Sequence, residues 1–126
     1  MASIERFEEI IAWQKARELV KHLHLAFSSG PGSRDFGFRG QVCGAALSVM
    51  SNIAEGFERG TNKEFHQFLV IAGSSCGEVR SQLYAAVDIG YIDAEQFEEL
   101  FHLCSQVGRL TTALRKSLGL NRTRQV

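Results

Sequence analysis

Apolar residues recur along most of this chain at intervals of three and four, the period of an amphipathic helix. In the first such segment, from about Glu8 to Phe27, Ala12, Ala16, Leu19, Leu23 and Ala26 form one stripe. Trp13, Val20 and Phe27 widen it, and Lys15, Glu18, Lys21 and His22 take the wet side. The run Ser28-Ser29-Gly30-Pro31-Gly32-Ser33 then ends the helix, because glycine and proline disfavour continuation; it reads as a plain linker. The spacing predicts a second helix from Asp35, a suitable N-cap, to about Phe57. A third begins at Thr61, where Thr61-Asn62-Lys63-Glu64 has the form of a capping box. Phe65, Leu69, Ala72, Cys76, Val79, Leu83 and Ala86 then alternate at four and three until Gly90 supplies a stop. The fourth is capped by Asp93, with Gln96 three residues on. It carries Phe97, Leu100, Cys104, Val107, Thr111, Leu114 and Leu118 to Gly119. No segment shows the period-two alternation of strands. The second, third and fourth helices are joined by short connections, which make neighbours antiparallel. The predicted fold is therefore all-α: an antiparallel up-down four-helix bundle over residues 1–119, followed by a basic tail at 120–126.

The second helix departs from the usual pattern. Phe38, Val42, Ala45 and Val49 make one stripe, Cys43, Ala46, Met50, Ile53 and Phe57 another, and Leu47 and Ala54 fill a third direction. No charge occurs from Gly40 to Ala54. Such a helix is expected to be covered on more than one side, which in a four-helix unit calls for a second subunit. Gly40, Gly44 and Ser48, and Gly73 with Gly77, stand four apart, a spacing of small residues that permits close helix approach. Ser48, Asn52 and Glu55 share one face of the second helix, and Ser74, Glu78 and Gln82 align similarly on the third. Buried polar groups must be hydrogen-bonded, so these six are the predicted structural network that fixes register.

Composition narrows the function. The 126 residues hold 14 Lys and Arg against 14 Asp and Glu, so any anion-binding surface must come from local clustering. Such a cluster is present at the carboxyl end. Arg109, Arg115, Lys116, Arg122 and Arg124 follow Glu99 with no further acid, and in a ring they would be multiplied by the number of subunits. Arg115, Lys116, Arg122 and Arg124 are the candidate nucleic-acid-binding residues; cations near a helix C-terminus also serve its dipole. The aromatic residues lie mostly at core spacing and predict no base-stacking platform. Cys43, Cys76 and Cys104 are scattered among apolar neighbours, which argues for buried thiols and against disulfides or zinc. The acidic amino terminus is no signal peptide, and the uncharged stretch is too short to span a bilayer; a cytoplasmic protein is expected.

Several segments carry a family likeness. Ser51-Asn52-Ile53-Ala54-Glu55-Gly56, followed by Arg59, resembles the S-N-I-A-E-G signature of the 23S rRNA-intervening-sequence family of four-helix bundle proteins. Trp13-Gln14-Lys15-Ala16 resembles that family's W-Q-K-A. Glu64-Phe65, Phe68-Leu69, Ile71-Ala72-Gly73-Ser74 and Glu78 resemble its third helix, and Gly90-Tyr91 its last turn. The resemblance implies an antiparallel bundle assembling into a pentameric ring. A related branch, the accessory proteins of diversity-generating retroelements, implies nucleic acid as a partner through a basic ring. Where the family has an Arg pair in Q-L-R-R-A, this chain reads Gln41-Val42-Cys43-Gly44-Ala45, and two cations are missing.

Catalytic motifs are sparse. One E-x-x-H stretch, Glu99 to His102, has no second copy, and Glu18 with His22 makes a lone i, i+4 pair. No phosphate loop, nucleophile elbow or HExxH occurs. The expectation is a non-enzymatic protein with no cofactor, metal or membrane partner. It would assemble with itself and bind either RNA or DNA, or else a protein as a scaffold. The arrangement of the carboxyl-terminal cations discriminates: convergence on one face favours nucleic acid, and splaying favours a scaffold.

Overall fold

The computed structural model describes residues 3–119. Four helices account for most of them: α1 (Ile11–Ala26), α2 (Phe36–Glu58), α3 (Asn62–Asp88) and α4 (Ala94–Ser117). Short 3₁₀ turns, Phe7–Glu9 and Pro31–Arg34, precede α1 and α2. Among the described residues there is no strand.

The caps follow local chemistry. Asp35 accepts the Phe38 amide at 3.1 Å and so satisfies one orphan donor of α2. At α4 the capping box is complete, with Gln96 N–H to Asp93 Oδ1 at 2.8 Å and Asp93 N–H to Gln96 Oε1 at 2.9 Å. At α3 it is half made. The Thr61 hydroxyl accepts the Glu64 amide at 3.2 Å, but Glu64 takes the hydroxyl proton instead of reaching the Thr61 amide. Gly60 and Gly90 turn the chain at φ 86° and 80°, a region that side chains resist.

Each helix packs on the next in sequence, and α1 also packs on α4 to complete the ring of contacts. Ser48 lies opposite Ser75, and Gly56 lies opposite Phe65 and Phe68. All seven residues of the predicted α3 seam are buried, as are Ala12, Ala16, Leu19 and Leu23 of α1. From α4, Leu100, Cys104, Val107 and Thr111 complete the core. The Thr111 hydroxyl escapes isolation by donating to the Val107 carbonyl at 2.7 Å. All three cysteines are free and buried. Contact with the Cys76 thiol, together with burial, pushes the Cys104 thiol far above its ordinary pKa.

The α1–α2 connection is more than a linker. Gly32 is buried, and a Cβ there would lie 3.0 Å from Phe27 Cδ1 and 3.1 Å from Tyr91 Cβ. Phe27, Phe38 and Tyr91 form an aromatic corner beside it. Above it Tyr91 donates its hydroxyl to Asp35 at 2.6 Å. That hydrogen bond, with the Phe38 amide, holds the Asp35 carboxyl below the usual range and lifts the Tyr91 hydroxyl above its own.

Candidate functional site

The predicted polar network contracts to three residues. Asn52 donates to the Ser48 carbonyl at 2.8 Å and to the Ser48 hydroxyl at 3.0 Å. That hydroxyl, its lone pair engaged, has its proton available for Ser75 Oγ at 3.1 Å across the α2–α3 seam. Ser75, not Ser74, is the hydroxyl that α3 contributes: Ser75 is buried and Ser74 is exposed. Residue 75 stands about 100° further round the helix, toward α2. Glu55 is also exposed, paired with Arg59 at 3.1 Å one turn on. The exposed Glu78 accepts from the half-buried Gln82 at 3.3 Å within α3, and the buried Gln82 Oε1 has no partner. These four positions therefore do not join Ser48 and Asn52.

Helix α2 presents Gly40, Gln41, Gly44, Leu47, Ser51 and Glu55 outward, a face uncharged until its last member. Leu47 is 49% exposed. A Cβ placed on Gly40 or Gly44 would meet nothing within 4 Å. Each mid-helix glycine costs about 1 kcal/mol relative to alanine. Packing within this chain does not call for either of them.

The cations converge on the opposite side of α3. A groove runs between α3 and α4, floored by Gly73, Gly77 and Gly108 and bordered by Arg80, Arg109, Arg115 and Lys116. Among the described residues none of the four has a carboxylate within 4.0 Å, and no acidic residue lines the groove. Arg80 is the member that residue patterns did not single out, since it lies far from the carboxyl-terminal run. Its head group lies against a glycine of the facing helix. Arg80 Nη1 is 3.5 Å from where a Cβ on Gly108 would stand, so the guanidinium lies across the helix seam. Thr112 and Ser105 add hydroxyls, and His66 closes one end. His66 is buried, and its Nε2 has no hydrogen-bond partner. Arg115 and Lys116 thus share the groove with Arg80 and Arg109. Arg122 and Arg124 lie outside the described residues.

The aromatic residues divide. Phe27 and Phe65 are core, but Tyr84 is 54% exposed and Phe36 77%. Tyr84 stands on α3 one turn beyond Arg80, against Phe97 and Phe101 of α4.

Among the described residues no cluster of three metal-ligating side chains occurs. Glu99 lies 3.9 Å from His22 Nδ1, across the α1–α4 boundary, so His22 meets a carboxylate of another helix and not Glu18. Among the described residues no helix is long and apolar enough to cross a membrane.

Comparison with known proteins agrees with this architecture. A crystal structure of a protein with unknown function from the S23 ribosomal protein family of Bacteroides thetaiotaomicron superposes with a TM-score of 0.76 at 21% identity. The match covers 84% of this chain and 96% of that one. At that identity the likeness speaks for the fold alone. No curated relative matches the chain. The family model for the 23S rRNA-intervening sequence protein matches residues 8–113, from the turn before α1 almost to the end of α4. The chain belongs to the 23S rRNA-intervening sequence protein family.

Proposed function

We propose that this protein works by assembly and binding, without catalysis. It is an antiparallel up-down bundle that forms a homo-oligomeric ring, a pentamer on the family resemblance. In the cytoplasm it holds nucleic acid along the α3–α4 groove. The observation that carries the binding reading is the convergence of Arg80, Arg109, Arg115 and Lys116 on one carboxylate-free groove. A protein of zero formal charge binds phosphates only where cations gather locally, and here they gather beside glycines that keep the floor low. The two cations missing at Cys43 and Gly44 lie on α2, away from this groove.

The exposed face of α2 supports self-assembly. Gly40 and Gly44 leave room for a close neighbour that the chain itself does not supply, and Leu47 offers apolar area beside them. A second reading, a protein scaffold, rests on this same face and needs no basic groove.

Fluorescence anisotropy with structured RNA, duplex DNA and an RNA–DNA hybrid across a salt series tests the binding reading. Affinity should fall steeply with salt and vanish when the four groove cations become alanine. Absence of binding at low salt would leave the scaffold. Light scattering tests assembly: a mass corresponding to one chain would overturn the ring.

A further inference from the structure

One turn of α3 past the groove's last cation stands an exposed aromatic residue. Arg80 and Tyr84 are four residues apart on α3, so they share the side of that helix that faces α4. Tyr84 is 54% exposed although it is a large aromatic residue. It is also braced: its ring centroid lies 5.1 Å from that of Phe97 and 5.3 Å from that of Phe101, and those two stack at 5.2 Å. The ring is therefore held in place from behind while its remaining surface faces solvent. From His66 to Arg80 the α3 residues that line the groove span about 21 Å at 1.5 Å per residue, and Tyr84 stands one turn past that end.

We propose that the α3–α4 groove is built for a single nucleic-acid strand, with phosphates along Arg80, Arg109, Arg115 and Lys116 and an unpaired base stacked on Tyr84. The proposal rests on the nucleic-acid reading above and deepens it. A duplex keeps its bases paired and stacked inside, so it offers the cations its phosphates but offers Tyr84 nothing. A single strand can turn a base outward one step from the phosphate that Arg80 holds. A groove of cations ending in an aromatic platform is the combination that sequence-tolerant single-strand binders use. Stacking also adds affinity that does not depend on charge, which suits a protein with few cations to spend. RNA and DNA share the chemistry recognised here, phosphate and base face, and the arms of the test separate them.

The experiment measures binding of the full-length protein to labelled single-stranded oligo-rU and oligo-dT and to a duplex of equal length, by anisotropy. The wild type should bind both single strands more tightly than the duplex. Four phosphate contacts on a single strand predict that affinity falls about 50-fold between 50 and 200 mM salt. Tyr84→Ala should weaken single-strand binding about 5- to 150-fold, the range for losing one stacked base, and leave duplex binding unchanged. Tyr84→Phe, which keeps the ring, should retain wild-type affinity, and far-UV circular dichroism confirms that both variants are folded. Two outcomes overturn the single-strand assignment while the nucleic-acid reading survives. They are Tyr84→Ala binding single strands like wild type, and duplex binding as tight as single-strand binding, each with affinity still lost in the four-cation variant. No binding to any of the three at low salt overturns both.

Discussion

Gly44→Ala and Gly56→Ala make the same chemical change in the same helix, and only the first is expected to stabilise the chain. Alanine improves helix propensity over glycine by about 1 kcal/mol at either site, so that contribution cancels in the comparison. What remains is steric. At Gly44 a Cβ would meet nothing within 4 Å, and the variant chain should gain the propensity in full. At Gly56 the same atom would fall 2.5 Å from Phe68 Cβ and 3.1 Å from Phe65 Cδ1. Phe68 Cβ is bonded to the backbone of α3 and cannot rotate away, so α2 and α3 must move apart along their shared seam. Overpacking of this kind costs about 1–3 kcal/mol. Gly56→Ala should therefore be less stable than Gly44→Ala by about 1–3 kcal/mol, a gap of several degrees in Tm for a chain of this length. Urea unfolding followed by far-UV circular dichroism reads the difference. Repeating it over a range of protein concentrations separates chain stability from assembly, because only the latter depends on concentration. Equal midpoints for the two variants, at a concentration where light scattering shows both as single chains, would refute the argument that Gly56 is required by close approach of α3.

Asn52→Leu should lower chain stability by about 1 kcal/mol and leave assembly intact, because Asn52 bonds Ser48 beside the α2–α3 seam and not on the outward face of α2. Urea unfolding should show the loss while light scattering returns the wild-type mass; a changed mass with unchanged stability would refute this placement of Asn52. The Asp35–Tyr91 hydrogen bond should make stability depend on pH at both extremes. Asp35 has a lowered pKa, so its contribution is present above the ordinary value of about 3.9 and is lost as pH falls through the lower folded value. Tyr91 has a raised pKa, so its contribution is present below about 10 and is lost as pH rises through the higher folded value. Tyr91→Phe should lower Tm at neutral pH, and that deficit should shrink in strong acid; a deficit unchanged with pH would count against the bond.

Residue periodicity was enough to place the helices within a few residues. The α3 seam is the clearest case: a four-three alternation over about six turns admits one buried side, and that side is the one that packs. Caps were equally legible at Asp35 and Asp93, because a capping bond spans only three residues. At Thr61 the pattern promised reciprocity and the side chain chose a different partner, since a glutamate carboxylate can take a hydroxyl proton as readily as an amide. The polar network shows where one-dimensional spacing fails. Ser74 and Ser75 are adjacent in sequence, yet the rotation of α3 against α2 sends one outward and the other to Ser48.

The groove shows the same division. Four helices, their order, the uncharged run through α2 and a basic carboxyl end were legible in the residues alone, because each is a local property of consecutive positions. That Arg80 joins Arg109, Arg115 and Lys116, and that Tyr84 stands exposed against Phe97 and Phe101, emerged from the packing of the helices. Those residues lie on two helices, and which of them meet depends on how α3 and α4 rotate to bury Cys76, Val79, Cys104 and Val107 between them. The core sets that rotation, and the groove is the part of each helix that the core leaves facing water.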